Sequence, residues 1–189
     1  MKEIIRKAEE FALSEIKKYG LPSMMNYNIS NEKGLELSKQ FDANSDIVQI
    51  GTRLMDIKLG EALTKGRIQE HIAMGVTATE EFLSQFELIN DVKEQIVACV
   101  KEHHGVKNWT SKESEICANA DCYRFLLVEN WLEFLHSLGA EDSTFEEDLA
   151  LAESKLEEKW TILSIDSCKV ELTSHYNMIK KIIAKVKNS

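Results

Sequence analysis

Three histidines and two aspartates stand where their types could do metal chemistry: His71, His103, His104, Asp56 and Asp121. Imidazole and carboxylate are the donors that suit Fe, Mn, Co or Zn. A divalent ion held by such a set can engage a phosphoryl oxygen and acidify water. His103 and His104 close the run IVACVKEHHG. Ile89, Val92, Ile96 and Cys99 step along one helical face that His103 continues, and Val97 and Val100 form a row that His104 continues. Both histidines thus extend the apolar stripe. Each also has a plainer explanation, since a histidine in a last turn suits the helix dipole and Gly105 is a natural residue past the helix end. His71 lies between Ile68 and Ile72, with Gly75 one turn on, where a missing side chain leaves room beside the imidazole. By itself it fits a hydrogen-bonded histidine at the core edge. Asp56 follows Leu54 and Met55 and by itself fits a local cap or surface carboxylate. Asp121 sits in ICANADC, among residues as small as those where helices approach closely. A carboxylate there must be paired, hydrogen-bonded or metal-bound, because burying it bare is costly. Arg124 or Arg53 is the ion-pair alternative.

These residues need elements to bring them together, and the chain offers helices. It has one proline, Pro22, and eight glycines, so few points break a helix. Apolar spacing predicts helices over about 2–19, 30–41, 46–58 and 67–86, then one from Asn90 or Asp91 to His104. Gly60 to Gly66 fits a loop or short helical turn. Thr110 and Glu113 have capping-box spacing and open a long helix to about Leu138. Two more follow, capped by Ser143 or Thr144 and by Asp166 or Ser167. No segment alternates as a strand would. The expectation is one all-α domain over 1–189, a bundle of about seven or eight helices. Its core covers about 20–138, with helices in 143–187 packed on it.

The net charge of −9, from 23 basic and 32 acidic residues, speaks against a nucleic acid polymer or an anionic membrane as partner. A small phosphorylated molecule needs only a local cation. No run of eighteen apolar residues occurs. The start, MKEIIRKAEEFALSEIKKYG, has no signal-peptide core. Cys99, Cys117, Cys122 and Cys168 show no CxxC spacing and lie in apolar surroundings, as reduced core thiols of a cytoplasmic protein would.

In the order and context of these residues the chain resembles the HD superfamily of metal-dependent phosphohydrolases. DIVQIGTRLMDIKLG resembles the family's AALLHDIGK segment, and EHIAMGVTATEEFL its histidine-and-glycine helix. IVACVKEHHG resembles the double-histidine helix end, and ESEICANADCYRFL the final-aspartate helix. EIIRKAEEFALSEI and EKWTILSIDSCKVE are similar to the flanking helices, so the resemblance covers nearly the whole chain. Two positions depart from it. Met55 stands where the doublet has histidine, and Asn26, or alternatively Asn28, where the early histidine belongs. In the family the first metal uses the early histidine, the doublet and the final aspartate, so only Asp56 and Asp121 remain of that set. The second metal uses the positions of Asp56, His71, His103 and His104, all present.

The resemblance implies a divalent metal ion (Fe, Mn, Co or Zn) and hydrolysis of a phosphate ester in a nucleotide or similar small metabolite. Asp56 would hold the metal and orient water. His71, His103 and His104 would complete the coordination, Asp121 would serve as ligand or base, and Lys58 would contact phosphate. Lys107 is a lesser phosphate candidate, and Trp109 and Tyr123 could line a pocket or belong to the core. The alternative is a degenerate, non-catalytic binding or regulatory module. Its acidic, amphipathic C-terminal helices would then serve partner binding or homodimerisation.

Overall fold

Helix after helix forms because apolar residues recur at helical spacing between identifiable stops. A computed structural model describes residues 1–139 and 143–188, and the described residues form ten α-helices, one 3-10 turn and no strand. The contacts divide the chain into two compact units, Met1–Ala120 and Asp121–Ser189.

In the first unit α1 (Lys2–Tyr19) buries Ile4, Ala8 and Ala12, four residues apart on one face. It stops where Gly20 takes a left-handed φ of 78° and returns its N–H to Ile16 O. α2 (Met24–Gln40) starts earlier than its apolar spacing predicts, because Ser23 Oγ accepts the Asn26 N–H and caps it. α3 (Ser45–Leu54) is capped by Asn44 and buries Ile47, Val48, Ile50, Gly51, Thr52 and Leu54. Burial on so many sides follows from its place, packed against α1, α2 and α6. It ends at Leu54, and residues 55–58 are a turn that carries Asp56. α4 (Leu59–Thr64) is the short helical turn expected between the glycines. A 3-10 turn (Ile68–Glu70) leads into α5 (His71–Leu83), which packs on α6 (Asn90–Glu102).

α7 (Lys112–Leu126) carries the division between units, after Ala120. Its start is one residue later than the Thr110 expectation. Ser111 and Ser114 exchange backbone and hydroxyl hydrogen bonds there. Glu113 instead accepts the Asn44 N–H at 2.8 Å.

The second unit breaks the helix expected to run to Leu138. Leu127 is extended, and α8 (Val128–Leu138) begins after it. The unbroken apolar run FLLV hides this break. The Val128 N–H that it frees is accepted by Nδ1 of His175, on α10 (Asp166–Lys187), at 3.3 Å. Of the two cap candidates Thr144 caps α9 (Phe145–Ile162), completing a capping box with Glu147. α8, α9 and α10 pack on one another around Trp131, which is fully buried and donates Nε1–H to Ala152 O. No helix of the described residues is long and apolar enough to cross a membrane. All four cysteines are buried free thiols. A hydrogen bond with Cys117 and burial push the Cys99 thiol up, and burial does the same to Cys122.

Candidate metal centre

The first unit gathers His71, His103, His104 and Asp56 from the ends of three elements around α6. Ring orientation begins in the backbone. His71 Nδ1 donates to Ile68 O at 2.7 Å, a carbonyl supplied by the 3-10 turn. His103 Nδ1 donates to Val100 O at 2.7 Å, one turn back in α6. A carbonyl only accepts, so each ring carries its proton on Nδ1 and, when neutral, a lone pair on Nε2. Both Nε2 atoms are buried without a hydrogen-bond partner. His71 is 9% exposed and His103 0%, so bulk water does not satisfy them. Buried polar atoms of this kind are costly to leave unmet.

The three histidines offer ligand atoms that all lie within 4.8 Å of one another. Their ring centroids are 4.5 Å apart for His103 and His104, 5.1 Å for His71 and His104, and 6.1 Å for His71 and His103. Zinc–nitrogen bonds of about 2.0–2.1 Å in a tetrahedron place nitrogens about 3.3 Å apart, so binding needs the rings to draw in by up to about 1.5 Å. Asp56, 6% exposed, puts Oδ1 3.5 Å from His103 Nε2. With Nδ1 already the donor, that pair is two facing acceptors unless a proton or a metal cation compensates them. The donor set, its orientation and its unmet atoms fit a divalent ion.

The surroundings hold these groups in place. Gly75 gives α5 its close approach: a Cβ there would meet Val100 at 3.5 Å and Met55 O at 3.7 Å. No imidazole atom lies within 4 Å of that point, so the glycine serves helix packing rather than ring clearance. Glu102, a site residue no motif singled out, is buried next to His103 in the chain. It accepts the Thr110 N–H at 3.1 Å and the Ser114 hydroxyl at 2.7 Å, and also the Thr110 hydroxyl, tying the loop after α6 to the helix end. The signal for it was the hydroxyl-rich run TSKES.

Met55 is buried at 2% exposure, a thioether where the family has imidazole. Asn26 is buried in α2 and Asn28 exposed, which favours Asn26 as the counterpart of the early histidine. Lys107 is exposed and Trp109 half-buried.

Lys58 is committed elsewhere in this structure. Its ammonium bonds Glu15 at 2.7 Å and Glu61 at 2.8 Å, joining α1 to α4. Burial opposes its charge, but those two bonds outweigh it and its pKa stands above the ordinary lysine value. Hydrogen bonds from Lys58 and then Lys65 hold the Glu61 carboxyl at about 2, against an ordinary 4.5. A depressed folded-state pKa contributes stability that is complete above the unfolded value and lost as pH falls through the folded one. Lys58→Met should therefore shrink the stability lost between about pH 4.5 and 2, read by urea denaturation at each pH. An unchanged acid limb combined with a raised KM for a phosphate ester would return Lys58 to the phosphate role.

Asp121 belongs to the second unit. Its Oδ1 accepts from Arg124 Nη1 at 2.7 Å, the partner weighed from the sequence, and its Oδ2 lies 2.7 Å from the Lys159 ammonium. Lys159 was missed, although it falls in register with Leu149, Ala152 and Leu156 on the buried face of α9. Tyr123 is fully buried and donates its hydroxyl to Glu171 at 2.6 Å, so it is a core residue.

Neither a family model nor a curated protein matches this chain. Solved structures do. A predicted HD superfamily hydrolase from an uncultured Thermotogales bacterium aligns over 97% of this chain and 91% of its own, with a TM-score of 0.62 and 14% identity. A structural-genomics target from Lactobacillus plantarum aligns over 100% and 97%, with a TM-score of 0.73 and 14% identity. The chain therefore has an HD-domain-like, all-α fold, and it carries a histidine cluster that could hold a metal.

Proposed function

We propose that the first unit binds one divalent metal ion through His71, His103 and His104, with Asp56 beside it, and hydrolyses a phosphate ester of a small metabolite or nucleotide. One observation carries this reading. Two buried histidines spend their Nδ1 protons on backbone carbonyls and leave their Nε2 atoms unmet, and their ligand atoms cluster within 4.8 Å with that of a third histidine, with a carboxylate beside His103. Histidine ligands of metals are held in this manner, with one ring nitrogen bonded to the protein and the other presented.

A divalent ion in that place supplies Lewis acidity toward a phosphoryl oxygen. The backbone bonds of His71 and His103 keep the rings from turning away, and burial around them excludes competing water. Asp56 supplies negative charge and an acceptor for a proton of the attacking water. An anionic substrate meets an acidic protein, net −9, so a local cation is what makes its binding favourable.

A non-catalytic binding module is the second reading, favoured by Met55 and Asn26 at the positions of two family histidines. Purified protein should contain close to one divalent ion per chain by elemental analysis. It should release phosphate from a nucleotide or generic ester, lose that activity on chelation, and regain it with Mn, Fe, Co or Zn. Metal without turnover across such a screen supports the module. A metal-free protein whose melting ignores all four ions sinks both metal-based readings.

A further inference from the structure

Asp121 and Lys159 are each 1% exposed, and Arg124 is 5% exposed, so these three charged residues of the second unit are closed off from water. We propose that Asp121 is balanced by the chain's own cations, Lys159 and Arg124, and takes no metal ion, an ammonium standing where the family resemblance implies a metal. This stands apart from the histidine-cluster reading, which concerns the first unit.

The geometry is specific. Each carboxylate oxygen already faces a cation at 2.7 Å, the guanidinium at Oδ1 and the ammonium at Oδ2. Glu158 adds a second carboxylate, with Oε1 3.6 Å from Lys159 Nζ. The two carboxylates and two cations in these contacts offset one another's charge, which weakens the pull on a divalent ion. The Phe125 ring lies 5.3 Å from the Arg124 guanidinium and 5.6 Å from the Lys159 ammonium, a flank that offers a metal no ligand. A metal bonded to either oxygen at about 2.0–2.2 Å would stand against a cation already 2.7 Å away. Burial pulls the Lys159 pKa down, but Asp121, Cys122 and Glu158 together outweigh it, so it stays above the ordinary value and the side chain remains an ammonium. That also removes Lys159 from the list of amine nucleophiles.

Removing one member of a buried pair strands the other, whereas removing both does not. Asp121→Asn and Lys159→Met should each lower the Tm of the full chain by about 10 °C. The double variant should melt no lower than the worse single one; additive losses would overturn the pairing. Metal is tested separately. Elemental analysis should find the same metal per chain in wild type and Asp121→Asn, and a fall by half or more in folded Asp121→Asn would overturn the proposal. In full chain with His71→Ala, His103→Ala and His104→Ala, titration with Mn, Co or Zn should show no binding. Saturable binding that Asp121→Asn abolishes would also overturn it. If the triple variant lacks helical circular dichroism, the single-variant comparison and the melting cycle decide. A metal-free wild type would end the histidine-cluster reading while leaving the melting cycle decisive here.

Discussion

His103→Ala should cost the protein its metal, with affinity for Co or Zn falling by at least ~100-fold. Partners that only orient a ligating histidine are worth 10–100-fold, so loss of a ligand sets at least the upper figure. The ring removed is fully buried, and it links the other groups: it lies beside His104, across from His71, and 3.5 Å from Asp56. The Co-bound protein should lose its visible absorption bands, and elemental analysis should find no ion after dialysis. A ligand that binds only the folded state stabilises it by about 2.7 kcal/mol at 100 times its Kd. A chelator should therefore lower the wild-type Tm by roughly 5–10 °C and leave the His103→Ala value unmoved. The competing account places a proton, not a metal, between His103 and Asp56. It expects His103→Ala to be destabilised while wild type ignores the chelator, so the chelator comparison separates the two. His136→Ala, on α8 in the second unit, serves as the control that should behave as wild type.

The helical architecture was legible because apolar spacing and caps agree along most of the chain. Ile4, Ala8 and Ala12 bury one face of α1, and Thr144, one of the two cap candidates, caps α9. The break at Leu127 was not legible, since the acceptor that satisfies Val128 N–H is a histidine 47 residues away. His103 and His104 could be picked out because they prolong an apolar stripe into a helix end. The orientation of the His103 ring could not, because it depends on Val100 O taking the Nδ1 proton. Asp121 announced that it needed a partner, and Arg124 was within one turn. Lys159 supplies the second cation from α9, and only packing reveals it, though a lysine in register with Leu149, Ala152 and Leu156 was the available sign. For Lys58 the partner Glu61, three residues on, was within local pattern, whereas Glu15, 43 residues distant in the chain, was not.

Two glycines that look alike in sequence should part sharply on substitution. Gly51 lies in α3 and Gly75 in α5, both facing α6. A Cβ at Gly75 would meet Val100 and Met55 O at 3.5 and 3.7 Å, ordinary contact distances. Gly75→Ala should thus be neutral or gain up to about 1 kcal/mol from helix propensity. A Cβ at Gly51 would sit 2.5 Å from Cys99 Cβ and 3.0 Å from both the Cys99 and Cys117 sulfurs. The nearest atom there is next to backbone, so no side-chain rotation relieves it and the helices must separate. Overpacking of this kind costs about 1–3 kcal/mol or more. Gly51→Ala should lose about 2–3 kcal/mol net in urea denaturation, a Tm drop of roughly 5–10 °C. Cys99 is one turn before His103, and Asp56 follows α3, so the same displacement pulls the carboxylate away from the imidazole it faces. Metal affinity should accordingly fall in Gly51→Ala while holding in Gly75→Ala. Equal stability and equal affinity in the two variants would mean that the α3–α6 contact does not position the centre.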